Sequence, residues 1–224
     1  AGLTANWTIA KAALTPYISG VSSKEYDGTT KVTGGTLGLK GLAVKDTGVT
    51  ASGTFAWTAA DAGTNTLNVT GIAVSGKTKE VTMPDGTKAA ELDWANNYTF
   101  DSTVNGALSN DPQGELKTKA SINKKSLKVP DFSQSYTGAT AFPYTKDFKT
   151  GVKAVSSGPE EVIGLTYTAS DADVNSYSYT ADAATGTKPF YTISLSDKAG
   201  NAASGTTGGK ATNYTISETG NGTF

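Results

Sequence analysis

Two copies of one short pattern, 110 residues apart, limit what this chain can fold into. Lys24-Glu25-Tyr26-Asp27-Gly28-Thr29-Thr30 returns in weaker form as Ser135-Tyr136-Thr137-Gly138-Ala139-Thr140. Ahead of the first copy stand Ile9, Lys11 and Leu14, and ahead of the second Ile122, Lys124 and Leu127, at an offset of 113. Asn97-Tyr98-Thr99-Phe100 then corresponds to Asn213-Tyr214-Thr215-Ile216, at an offset of 116. Three matches at nearly one spacing describe a tandem repeat of a whole domain, because the period is far too long for a solenoid unit. The 224 residues suit two domains of about 110 residues, each able to bury its own core. The division falls at 1–115 and 116–224, after a polar loop, Asn105 to Gly114, rather than a long linker.

The pattern has a local physical meaning. Asp27-Gly28 between strand-type residues signals a turn, since Gly accepts positive φ and Asp bonds its own backbone. Tyr26, just ahead of it, is expected to lay its ring on a half-buried sheet with its hydroxyl near water. In the second copy Tyr136 and Gly138 are kept, but Thr137 replaces the acid. The turn is expected to survive there without whatever the carboxylate does.

Strand signals recur every 8 to 15 residues with almost no helical periodicity. Residues 3 to 14 alternate as a first strand, with Trp7 and Ile9 on one face. Leu37 to Val44 reads as short strand and turn, and Phe55 and Trp57 share a face of the next strand. Leu67 and Val69, then Ile72 and Val74, make two short strands or one strand bulged at Gly71. Met83-Pro84-Asp85-Gly86 is a hairpin loop, Ala89 to Trp94 is a brief helix or a strand, and Tyr98 and Phe100 close the unit. In the second half Leu116 to Leu127 repeats the first strand, and Val162 to Thr168, Tyr177 to Tyr179 and Tyr191 to Leu195 are strands. The pattern predicts an all-β chain of two antiparallel β-sandwiches.

The absences exclude most chemistry. The chain has no Cys, and neither His nor Arg occurs in the sequence. That removes a Ser-His-Asp triad, a thiolate nucleophile and a zinc site of ordinary type. Acids such as Glu91 and Asp93, or Glu160 and Glu161, sit in polar surroundings as solvated surface groups, and no catalytic residue is assigned. The net charge is −1, divided as −3 before residue 116 and +2 after it. Without a clustered cationic surface, nucleic acid is not expected as a partner. No run of sequence is long and apolar enough to suggest membrane insertion by this segment. A Thr/Gly/Ala/Ser-rich, cysteine-free composition resembles that of long exported bacterial surface proteins, an association rather than a mechanism, and the start at Ala1 without signal or Met reads as a piece of something longer.

Lys24 to Thr30, the Ile-x-Lys-x-x-Leu lead-in and the Asn-Tyr-Thr-aliphatic closing strand resemble the YDG-type and related MBG repeats of large secreted bacterial adhesins. Gly53-Thr54-Phe55 and Leu67 to Gly76 are similar to the middle of such a repeat. The first unit carries the resemblance over most of its length, while the second departs, with Ser194 to Asn201 closer to a generic bacterial immunoglobulin-like strand and turn. The resemblance implies tandem immunoglobulin-like β-sandwich domains in a monomeric, non-catalytic stalk segment at the bacterial cell surface, with neighbouring repeats as partners and no cofactor. The alternative is a module binding glycan or host protein mainly through the second domain.

Three constellations remain to be placed. Asp171, Asp173 and Asn175 space oxygens at alternate positions, as calcium requires, but without the Gly and distant Glu of an EF-hand loop; a solvated turn is the simpler reading and no metal is assigned. Lys11 with Asn97, and Lys124 with Asn213, stand in the order needed for an intramolecular Lys–Asn amide bond, although each Lys equally snorkels from a strand edge. Tyr144, Phe148, Tyr167, Tyr177, Tyr179 and Tyr191 form either a carbohydrate platform or, as strand aromatics usually do, a core.

Overall fold

The computed structural model describes residues 8–44, 46, 48–76, 84–87, 94–101, 116–129, 131–139, 143–153, 160–179, 189–219 and 222–223. These are nearly all β. In chain order the strands are β1 (Ala12–Val21), β2 (Lys24–Glu25), β3 (Gly34–Lys40), β4 (Thr50–Trp57), β5 (Gly63–Ser75), β6 (Tyr98–Phe100), β7 (Leu116–Asn123) and β8 (Lys125–Val129). There follow β9 (Phe132–Ser133), β10 (Pro143–Lys153), β11 (Glu160–Ala169), β12 (Ser176–Tyr179), β13 (Phe190–Ser196), β14 (Thr207–Gly208), β15 (Tyr214–Thr219) and β16 (Gly222–Thr223). Packing divides the chain into one unit of Ala1–Ser22, Thr30–Ala59 and Asn65–Ala120, and a second of Ser23–Thr29, Ala60–Thr64 and Ser121–Phe224.

In the first unit β1 pairs antiparallel with β3, from Thr15 across Lys40 to Val21 across Gly34. The same strand pairs in parallel with β6, placing Ala12 across Tyr98 and Leu14 across Phe100. β4 and β5 form an antiparallel ribbon in which Thr54 faces Thr70 but Ser52 faces Ala73. β5 thus advances three residues against two, and Gly71, at φ +60°, absorbs the extra one as a bulge. Leu14, Val49 and Tyr98 are buried together under Leu39, Leu42, Val74, Trp94 and Phe100. Trp57, Leu67 and Val69 are also buried, and each apolar side chain so enclosed stabilises by about 1.5–3 kcal/mol relative to exposure.

In the second unit β10, β11 and β13 make an antiparallel sheet. Short parallel pairs extend it, β12 beside β13 and β14 beside β11. Its interior is aromatic: the Phe132 ring lies 4.5 Å from that of Tyr167 and 4.9 Å from that of Tyr191. Tyr179 stands 5.6 Å from Tyr191. Offset and edge-on ring pairs at such separations add about 0.5–1.5 kcal/mol each to the burial itself.

One arrangement occurs in both units. β8 pairs in parallel with β15, placing Lys125 across Tyr214 and Leu127 across Ile216. Under the offsets of 113 and 116 these are the counterparts of Ala12, Tyr98, Leu14 and Phe100. Leu14 and Leu127 are both buried, as are Tyr98 and Tyr214. The repeat seen as letters is therefore also a repeat of strand register.

Several expectations need correction. Among the described residues the first strand begins at Ala12, leaving 8–11 outside it, because its partners β3 and β6 lie against Ala12–Val21; Ile9 is 95 % exposed, and residues 3–7, Trp7 included, lie outside the described residues. The pairing is mixed rather than antiparallel: β1–β6, β8–β15, β2–β7, β11–β14, β12–β13 and β9–β16 are parallel. Leu116 to Leu127 is two strands broken at Lys124. A 3-10 helix occupies Trp94–Asn97, while Ala89 to Asp93, Met83 and Asn105 to Gly114 lie outside the described residues.

Candidate functional site: the Tyr-Asp-Gly turn

The turn is built from its own sequence outward. Gly28 sits at φ +73°, a left-handed conformation that costs a residue with a Cβ about 1–2 kcal/mol. With the chain reversed there, the Asp27 carboxylate accepts from the Thr29 N–H and hydroxyl, both at 2.9 Å. Lys24 then folds its ammonium back over the turn, donating to Asp27 Oδ1 and to the Thr29 carbonyl, each at 2.7 Å. Only 8 % of the Lys24 side chain is exposed, against 51 % for Asp27. Partial burial pushes the Asp27 carboxyl up, but the Lys24 ammonium and the Thr29 donors outweigh it and hold the group below its ordinary value of 3.8. An ammonium this enclosed remains paired because carbonyl and carboxylate replace its water.

Tyr26 is what the turn positions. The ring is buried rather than half-buried, at 3 % exposure, and meets Tyr214 edge to face at 5.4 Å. Its N–H donates to the Asn123 carbonyl at 2.8 Å, continuing the parallel pair of β2 with Ile122 and Asn123 of β7. Glu25 faces outward and takes an ion pair from Lys125 at 3.0 Å. Tyr214 in turn donates its hydroxyl to Thr150, buried, at 3.1 Å. Lys24 and Tyr214 stood in their motifs with no role assigned, and Lys125 was not read at all; a lysine three residues ahead of the Asp was the available sign for the first.

The second copy keeps the bend and loses the rest. Gly138 has φ +77°, but Thr137 offers no carboxylate and Tyr136 is 60 % exposed.

The remaining candidates fall elsewhere. Asp171 Oδ1 accepts from the Tyr177 hydroxyl at 2.5 Å and from the Asp173 N–H at 3.3 Å, and Asn175 Oδ1 accepts from the Ser176 N–H at 2.8 Å. These oxygens thus cap turns, and among the described residues no group of three or more acids is placed to hold a metal. Burial and the Asp171 carboxylate push the Tyr177 phenol well above its usual range. Lys11, Asn97 and Lys124 are exposed, whereas Asn213 is buried. The Asn213 amide is engaged with Asp61, at 3.0 Å, and with the Ala62 N–H, at 2.7 Å. Lys210 pairs with the same Asp61, and its ammonium and Asn213 hold that carboxyl below 3.8. Of the aromatic set, Tyr167, Tyr177 and Tyr191 are buried, Phe148 and Tyr179 are half-buried, and the Tyr144 side chain lies outside the described residues. What the turn can do chemically is hold two strands and a ring in register. Its carboxylate and amine are committed to each other.

Residues 10–105 match the family model of the YDG domain, which supports a YDG-type domain over that stretch. Comparison with curated proteins and with solved structures returns no match.

Proposed function

We propose that the chain is a non-catalytic spacer segment of a bacterial cell-surface adhesin, made of immunoglobulin-like β-sandwich repeats that project or separate binding regions. The observation that supports this most is the recurrence of the parallel first-to-closing register, Ala12 across Tyr98 and Lys125 across Tyr214. A chain that rebuilds one packing scheme at fixed spacing gains length by repetition, which is what a spacer requires. The turn residues contribute in the same direction, since Lys24, Tyr26 and Asp27 are engaged in holding strands. Of the rings that would have made a carbohydrate platform, Tyr167, Tyr177 and Tyr191 are buried in the core.

The reading is tested by presenting the full chain to arrays of glycans and of host extracellular-matrix proteins, with small-angle scattering of the same sample. Expected are no retained ligand and a monomer with an elongated profile. Saturable binding abolished by Tyr179→Ala with the fold kept overturns it in favour of a ligand-binding module.

A further inference from the structure

The strand that follows each closing strand pairs in parallel with residues ahead of a Tyr-containing turn, directly before the tyrosine in the first copy and two residues further from it in the second. Lys24 lies across Ile122 and Glu25 across Asn123, with the Tyr26 N–H donating to the Asn123 carbonyl at 2.8 Å. Phe132 lies across Gly222 and Ser133 across Thr223, with the Gln134 N–H donating to the Thr223 carbonyl at 3.1 Å. In the first instance Ile122 is enclosed to 1 % exposure. The offset of 113 makes Ile9, Ala10 and Lys11 the counterparts of Ile122, Asn123 and Lys124. Ile9, however, is 95 % exposed. A lone exposed isoleucine is ordinary on a surface; this one has a repeat counterpart that is buried and lies in a specific parallel strand pair.

We propose that Ile9–Lys11 is a docking strand for an adjoining copy of the repeat. It lies in parallel beside the residues of that copy equivalent to Lys24 and Glu25, its Ala10 carbonyl accepts the N–H of the turn tyrosine, and Ile9 is covered as Ile122 is. The occupant is a Lys-Glu-Tyr-Asp-Gly turn, because the pair shown here uses that turn's backbone and ring. The ion pair of Lys125 with Glu25 does not carry over, since Ala12 stands at the matching position. The inference deepens the spacer reading by naming the surface through which repeats join, and it rests on the tandem repetition in that reading. Binding of a glycan would sink the spacer reading without altering this contact.

The chain has no cysteine, so Ile9→Cys in the full chain gives a single thiol whose alkylation rate reports its cover. A further copy of residues 12–113 placed ahead of Ala1 sets Ile9 where Ile122 stands relative to its own repeat. The alkylation rate at Ile9→Cys is expected to fall at least about tenfold in the extended chain, as for a site that reacts only on local opening. Val44→Cys, also 95 % exposed at the parent residue, is expected to react equally fast in both chains. An unchanged rate at Ile9→Cys overturns the proposal, and so does an equal fall at both positions, which marks self-association. Tyr26→Ala confined to the added copy is expected to restore the fast rate; retained protection overturns the part given to the turn.

Discussion

The turns at Gly28 and Gly138 share a backbone conformation, φ +73° and +77°, yet one anchors a buried ring and the other leaves its ring in solvent. Tyr26 is 3 % exposed and Tyr136 60 %. Two differences account for this. The first turn has a carboxylate that gathers Thr29 and Lys24, whereas Thr137 brings no carboxylate to the second. Among the described residues the parallel strand accepts from the N–H of Tyr26 itself in the first copy and from that of Gln134, two residues ahead of Tyr136, in the second. Glycine thus supplies the bend, and its neighbours decide what the bend holds. Asp85-Gly86-Thr87 is an intermediate case: its carboxylate accepts from the Thr87 N–H and hydroxyl, as Asp27 does from Thr29, without a buried tyrosine ahead of it.

The sharpest way to break this comparison is to truncate both rings. Tyr26→Ala should cost about 3–5 kcal/mol, as other large buried aromatics do, while Tyr136→Ala should stay within about 0.5 kcal/mol; denaturant midpoints decide, and equal costs would end the distinction. Next come the bends. Gly28→Ala and Gly138→Ala should each cost about 1–2 kcal/mol, because both need the left-handed conformation whatever the turn holds; a cost confined to Gly28 would mean that the second bend is not maintained in solution. Transplanting the charges, Gln134→Lys with Thr137→Asp, should stabilise by only about 0.5 kcal/mol, since an exposed ion pair is worth little. A gain comparable to the loss in Tyr26→Ala would show that charge rather than the neighbouring strand sets the difference.

The smallest effect is pH dependence. Asp27 is held below its ordinary value of 3.8, so its contribution is complete above that pH and is lost as pH falls through the lower folded value. With half its side chain in solvent the contribution is screened to about 0.5 kcal/mol. The melting difference between the native chain and Asp27→Asn should therefore be present at pH 7 and vanish near pH 2. A difference that grows on acidification would reverse the sign assigned here.

Sequence exposed local features well and partners poorly. Gly71 was readable as either a break between two short strands or a bulge in one, since a residue free to take positive φ suits both, and β5 is one strand with an extra residue there. The Asp27-Gly28 turn was readable for the same reason. Ile9 was misjudged because alternation shows which residues share a face but not whether a partner lies against it. Parallel pairing was missed because short edge strands alternate alike in either direction. The clasp of Lys24 over the turn required knowing that its side chain is enclosed, which the fold decides and the heptapeptide alone does not. The cluster of Asp61, Lys210 and Asn213 joins residues some 150 positions apart, and no local pattern announces it.

The parallel pairing of β1 with β6, and of β8 with β15, has a mechanical consequence. In each pair the chain enters at one end of the ribbon and leaves at the opposite end, so tension applied along the polypeptide slides the two strands past each other. The rungs between them then share the load and must rupture together, whereas an antiparallel pair pulled from the same end would unzip one rung at a time. Each repeat therefore closes with the geometry that best resists being drawn out by its ends.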